Sequence, residues 1–211
     1  MRPKVDTMKH KAKRYIERVN GMAGGALVAC VFLASGHSKR FGSDKLCFTF
    51  RGMPLAEYVL RRHPAEIFIN TVVVTRSPSV ALAAAMRGFT VAENEDETDD
   101  IAKTIRLGLS VLPKNVDGCM FSVCDAPYFT QESTKLLVNT FAEDTTRIVA
   151  ASANGVRQNP VIFPQSLFAE LAALPQNQGG AFVIKKYPAL LRLVEVPPDE
   201  LRDIDRPCDI V

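Results

Sequence analysis

The chain has 211 residues, 47% of them apolar, and a formal net charge of +3, enough to bury one sizeable core and most simply a single domain. Its five cysteines (Cys30, Cys47, Cys119, Cys124, Cys208) are scattered and form no C-x-x-C pair, which predicts reduced, cytoplasmic thiols and argues against a disulfide framework or a zinc site. His10, His37 and His63 do not cluster, so a histidine-bound transition metal is not expected.

The charge is uneven. Residues 1–20 carry seven Lys or Arg against Asp6 and Glu17, a net of +5, which leaves −2 for the rest. A nucleic-acid binder spreads its basic surface over the folded body; here no nucleic-acid partner is expected. Residues 1–22 read as a basic extension, poorly ordered or a lone helix, and 23–211 as one domain. The basic start followed by Leu27-Val28-Ala29-Cys30 mimics a lipoprotein signal. Cleavage before Cys30 would cut through the first strand, and Glu17 and Asn20 interrupt the approach, so the cytoplasmic reading is preferred. No segment supplies the ~20 apolar residues of a membrane span, and no membrane partner is expected.

Val28 to Leu33 is a continuous apolar run that predicts a buried strand. The loop behind it, Ala34-Ser35-Gly36-His37-Ser38-Lys39-Arg40-Phe41-Gly42-Ser43-Asp44-Lys45, has two glycines and three cations. Exposed amides and cations at the carboxyl end of a strand suit a polyphosphate. The Walker and dinucleotide spacings are both absent.

Further on, Leu46–Phe50 reads as a short strand, and Pro54 opens a helix to about Arg62. Ile67–Val74 reads as a second buried strand, Ser77-Pro78 opens an Ala-rich helix to Met86, and Phe89–Val91 is a small strand. The acidic stretch Glu93–Asp100 is turn-like; Thr98 or Asp99 can cap a helix from Ile101 to Leu112. Gly118–Cys124 is a core strand, and Thr130 opens a helix to Phe141. Strands at Arg147–Ala151 and Pro160–Phe163, helices at Ser166–Leu174 and Gly180–Tyr187, and a strand at Leu190–Val196 complete the pattern. Strands alternating with helices predict an α/β fold of three layers around a mostly parallel sheet.

Asp125 ends the run Met120–Cys124, at the mouth where open α/β sheets bind ligands. A carboxylate there suits a magnesium ion bridging phosphates. Asp203 and Asp205 flank Ile204; with the isoleucine inward, both carboxylates point one way and either could complete the metal site.

Leu33-Ala34-Ser35-Gly36-x-Ser38-x-Arg40-Phe41-Gly42-x-x-Lys45-Leu46 resembles the signature of the molybdenum cofactor nucleotidyltransferases (MobA-like NTP transferases), closest to the cytidylyltransferase branch. Ser35 stands where that branch has alanine. Cys124-Asp125-Ala126-Pro127 resembles the family's Cys-Asp-Gln-Pro, and Asp203-Ile204-Asp205-x-Pro207 its closing motif. Asn159-Pro160-Val161 resembles its Gly-Asn-Pro-Val segment near the acceptor, here preceded by Arg157-Gln158, and Gly179-Gly180-Ala181 its Lys-Gly-Ala helix start. Thr104-Ile105-Arg106-Leu107-Gly108-Leu109 resembles the Ser-Leu-Arg-x-Gly-Leu helix behind the nucleotide. Asp100, with Asp99 beside it, stands where a glycine faces the nucleotide, and two carboxylates there would repel a triphosphate unless they face solvent or a metal.

The resemblance implies a Rossmann-like nucleotidyltransferase fold and Mg2+-dependent transfer from an NTP, CTP favoured, to molybdopterin or molybdenum cofactor. The product would go to a molybdenum hydroxylase. It implies nucleotide contacts from Ala34, Ser35, Gly36, Ser38, Lys39, Arg40, Gly42, Lys45, Thr104 and Arg106, and acceptor contacts from Asn159 and Gly179. Arg40, Lys45 and Asp125 would carry the chemistry, with metal on Asp125 and Asp205 or Asp203. Two alternatives stay open: a nucleotidyltransferase using GTP or acting on a sugar or polyol phosphate, and a non-catalytic carrier of the cofactor.

Overall fold

The computed structural model describes residues 25–36, 41, 44–95, 98–206 and 209. The expectations for residues 1–22, and for His37, Ser38, Lys39, Arg40, Gly42 and Cys208, lie outside the described residues.

A seven-stranded sheet forms the middle layer, built on β1 (Val28–Ala34). On one side of β1 lie β4 (Thr71–Thr75) and then β5 (Thr90–Glu93). On the other lie β6 (Gly118–Val123), β8 (Val156–Pro164), β7 (Ile148–Ala153) and β9 (Leu191–Glu195). Only β8 runs against the others, pairing antiparallel with both β6 and β7. A two-stranded ribbon, β2 (Thr49–Phe50) with β3 (Met53–Pro54), stands apart.

Helices cover both faces. Val28, Cys30 and Phe32 of β1 face a cluster with Leu55, Leu60, Ala84, Leu137 and Phe141, from α1 (Leu55–Arg62), α2 (Pro78–Met86) and α4 (Gln131–Glu143). Ala29 and Val31 face a second cluster with Ala102, Ile105, Leu171 and Val183, from α3 (Ile101–Ser110), α5 (Phe168–Ala172) and α6 (Gly180–Lys186). A strand buried on both faces needs apolar residues at every position, which is why β1 reads as an unbroken run. Helix α3 lies hard against it: a β-carbon at Gly108 would stand 2.6 Å from a Val31 methyl.

Three segments differ from their sequence reading. Leu46–Phe50 is not one strand: the Asp44 carboxylate accepts from the Leu46 amide at 3.1 Å and turns Lys45–Cys47 into a 3-10 helix, leaving Thr49–Phe50 to pair. Ile67–Val74 likewise begins as a 3-10 turn, Ala65–Ile67, after Pro64. Ile69 then donates to Val28 and Cys30 to Asn70, so the apolar run joins β1 before strand pairing starts at Thr71. Ser166–Leu174 divides into a 3-10 turn, Gln165–Leu167, and the short α5.

Candidate active site

The parallel direction of β1, β4 and β6 puts their carboxyl ends on one edge of the sheet. There the residues after β1 meet the turn after β6 around a cavity of about 460 Å³. Ala34, Ser35, Gly36, Lys45, Thr104, Asp125 and Asp205 line it, together with Leu33, Phe41, Leu46, Asp99, Ile101, Val123 and Cys124. A β-carbon at Gly36 would meet nothing within 4 Å, so the glycine leaves that stretch of wall open. Ser35 is buried, and its hydroxyl donates to the Val74 carbonyl at 3.1 Å. The hydroxyl at this position thus ties the end of β1 to β4.

The C-terminal segment is pinned into the site by backbone. Ile204, fully buried, donates its amide to the Asp125 carbonyl at 2.9 Å. Asp205 is thereby carried to Lys45, whose Nζ lies 3.2 Å from Asp205 Oδ1 and 2.6 Å from Asp125 Oδ2. Burial works against the Lys45 charge, but the Asp125 charge and hydrogen bonds to Asp125 and Asp205 outweigh it, and its pKa stands above the usual lysine value. Asp125 Oδ1 is buried and has no hydrogen-bond partner among the described residues. Asp203 is exposed as a residue, yet its carboxyl is pushed up to about 6, first by desolvation and then by the charge of Asp125; Lys45 opposes the shift and Asp205 adds to it. The carboxylates repel one another and Lys45 only partly neutralises them. No group of three or more His, Cys, Asp or Glu side chains among the described residues forms a ready-made metal site.

Thr104 reaches the cavity with its hydroxyl engaged, donating to the Asp100 carbonyl and accepting from Asn94. Arg106 is not brought to the cavity: its guanidinium binds Asp100 Oδ2 at 3.2 Å and the Leu174 carbonyl at 3.0 Å. Asp100, not Thr98 or Asp99, caps α3, accepting from the Ala102 amide at 3.0 Å; it also accepts from the Asn177 amide at 2.8 Å. Its carboxylate is therefore neutralised within the fold and is no source of repulsion toward a ligand. The signal was an aspartate directly before Ile101, the first apolar residue of the helix. Asn159 is exposed on β8; the pairing of Phe121 with Val161 sets it level with Val123, on the Asp125 edge. Gly179 stands at the N-cap of α6, and a β-carbon there would stand 3.7 Å from Ile101. Neither lines the cavity itself. The apolar lining from Phe41, Ile101 and Val123 could not be told from core in the sequence, since both are simply apolar. Cys30, Cys47, Cys119 and Cys124 are free thiols; burial above all pushes Cys124 up, and the Asp125 charge adds to it.

Residues 30–191 match the model of the MobA-like NTP transferase domain. The chain belongs to that family. Nucleotidyl transfer is its reaction class. Among solved structures, Rv0371c of Mycobacterium tuberculosis is 21% identical, covers 87% of this chain and 95% of its own, and superposes with a TM-score of 0.73. A nucleotidyl transferase of Methanothermobacter is 17% identical, with 87% and 94% covered and a TM-score of 0.71. The 4-diphosphocytidyl-2C-methyl-D-erythritol synthase of Anaerococcus prevotii is 12% identical, with 93% and 95% covered and a TM-score of 0.71. At such identities the likeness is one of fold. No curated protein matches the chain. Among the described residues of this MobA-like domain, no helix is long and apolar enough to cross a membrane.

Proposed function

We propose that the protein transfers CMP from CTP to the terminal phosphate of molybdopterin or molybdenum cofactor, with Mg2+, releasing pyrophosphate. The observation that carries this reading is the contact of Lys45 with Asp125 and Asp205 beside an open cavity at the carboxyl edge of the sheet. It joins the cation of the signature loop to the carboxylates of two motifs far away in sequence.

In this reading the loop amides around Ser35 and Gly36, with Arg40 and Lys45, hold the triphosphate. An oxygen of the acceptor's phosphate attacks the α-phosphorus, the bond from that phosphorus to the bridging oxygen breaks, and pyrophosphate leaves with the electron pair. No protein nucleophile is required; the residues position the reactants and neutralise charge. The site suits a hard divalent ion, since its donors are carboxylate oxygens and Asp125 Oδ1 is buried without a partner among the described residues. Asp125, with Asp205 or Asp203, would hold Mg2+, which supplies charge neutralisation at the phosphate oxygens. A structure of Rv0371c is a complex with manganese. The cytidylyl product would pass to a molybdenum hydroxylase, and the reaction belongs in the cytoplasm.

The test is pyrophosphate release from each of the four NTPs with Mg2+, offered molybdopterin or a panel of sugar and polyol phosphates. Release that needs both CTP and molybdopterin supports the proposal. GTP dependence or a sugar phosphate acceptor moves the enzyme to another branch of the family, and no release with any pair, despite cofactor binding, makes it a carrier.

A further inference from the structure

Lys45 bridges the two carboxylates, Asp125 and Asp205, that the proposed function gives to a metal ion. Its ammonium lies within 3.2 Å of oxygens from both Asp125 and Asp205, and its side chain is only 16% exposed. An ammonium and a dication cannot share that position, because like charges a few ångströms apart repel strongly where water is partly excluded. Asp125 Oδ1, buried and without a partner among the described residues, shows that the ammonium satisfies only half of that carboxylate.

Resting on the active-site reading above, we infer that Lys45 is the resident counter-cation of the Asp125–Asp205 pair, and that it keeps a divalent metal out until a triphosphate draws the ammonium away. Lys45 is suited to two positions. It stands at the start of the one-turn helix Lys45–Cys47 and lines the same cavity as Gly36, and a lysine ammonium is a compact charge on a flexible four-carbon stem. Nucleotide and metal then enter together, and neither carboxylate is left bare between turnovers.

The experiment measures Mn2+ binding to the full chain by electron paramagnetic resonance, without nucleotide and then with CTP or GTP. It compares the parent with Lys45→Met, Lys45→Gln and Asp125→Asn, each checked for folding by circular dichroism. Without nucleotide, the neutral Lys45 variants should bind Mn2+ roughly tenfold more tightly than the parent, because a competing opposite charge is gone. With nucleotide the order should reverse, because the parent alone has an ammonium to hold the phosphates. Lys45 variants that bind bare Mn2+ no better than the parent overturn the inference, as does a failure to reverse with a nucleotide that binds. If Asp125→Asn leaves Mn2+ binding unchanged in every state, the active-site reading itself falls, and this inference with it.

Discussion

At the scale of single residues, the site and the core use buried polar groups in opposite ways. Asp125 keeps one oxygen on Lys45 and the other without a partner among the described residues, as a group that awaits a ligand would. Asp125→Asn preserves shape and hydrogen-bonding capacity, so circular dichroism should be unchanged while metal-dependent pyrophosphate release collapses. A variant that still responds normally to Mg2+ would move the metal elsewhere. His63, in contrast, is a core group. Its ring stacks on Phe68 at 4.8 Å and meets Phe32 edge-on at 4.9 Å, and its Nε2 lies 3.2 Å from the Thr71 hydroxyl. Burial first, then the Arg87 charge, lowers its pKa to about 3. Below pH 6.5 the unfolded chain takes up a proton that the folded ring refuses. Its contribution to stability is therefore whole above 6.5 and is lost as the pH falls from there toward 3. At pH 4.5 the loss is about 2–3 kcal/mol. Urea unfolding of the parent and of His63→Phe, at pH 7 and 4.5, should show the parent losing that much relative to the variant. A gap between them that does not change with pH would mean that the ring is protonated in the fold.

At the scale of elements, the segments that read true are those whose pattern is set by the sheet itself. The bounds Pro78–Met86 of α2 follow from Pro at the first helical position and Gly88 behind it, and β1 follows from an unbroken apolar run. The segments that do not are governed by polar contacts that an apolar pattern does not register. The Asp44 carboxylate, two residues from the Leu46 amide, turns Lys45–Cys47 into a 3-10 helix, and Arg106 binds Asp100 and, 68 residues away, the Leu174 carbonyl. The same holds for the site: Asp125 and the closing aspartates are visible as motifs, whereas the Asn177 amide that donates to Asp100 lies 77 residues away. That bond fastens the loop before α6 to the first turn of α3. Asp100→Ala removes the cap, the Asn177 contact and the partner of Arg106 together, and should cost about 2–3 kcal/mol. Hydrogen exchange should quicken at Asn177 and across Gln178–Gly180 while the strands of the sheet stay protected. If exchange at Asn177 is unmoved, the tether is not what holds the loop.

At the scale of the whole molecule, the two apolar clusters formed by the described residues start at Ala26, and the cavity lining among the described residues starts at Leu33. The segment before them brings seven cations and few apolar side chains, chiefly Tyr15, Ile16 and Val19. An isolated helix of that length is marginal in water, so any order it has must come from docking. A chain beginning at Met22 should therefore stay soluble and keep its nucleotidyl transfer. Its Tm should lie within about 3 °C of the full chain, which for a domain of this size corresponds to roughly 1 kcal/mol. Removing the net +5 of residues 1–20 turns the formal charge of the protein from +3 to about −2, and ion-exchange retention should follow that change of sign. Should the truncated chain unfold many degrees lower, or fold normally and lose transfer, the segment packs into the body or covers the cavity, and the single domain must be redrawn to include it.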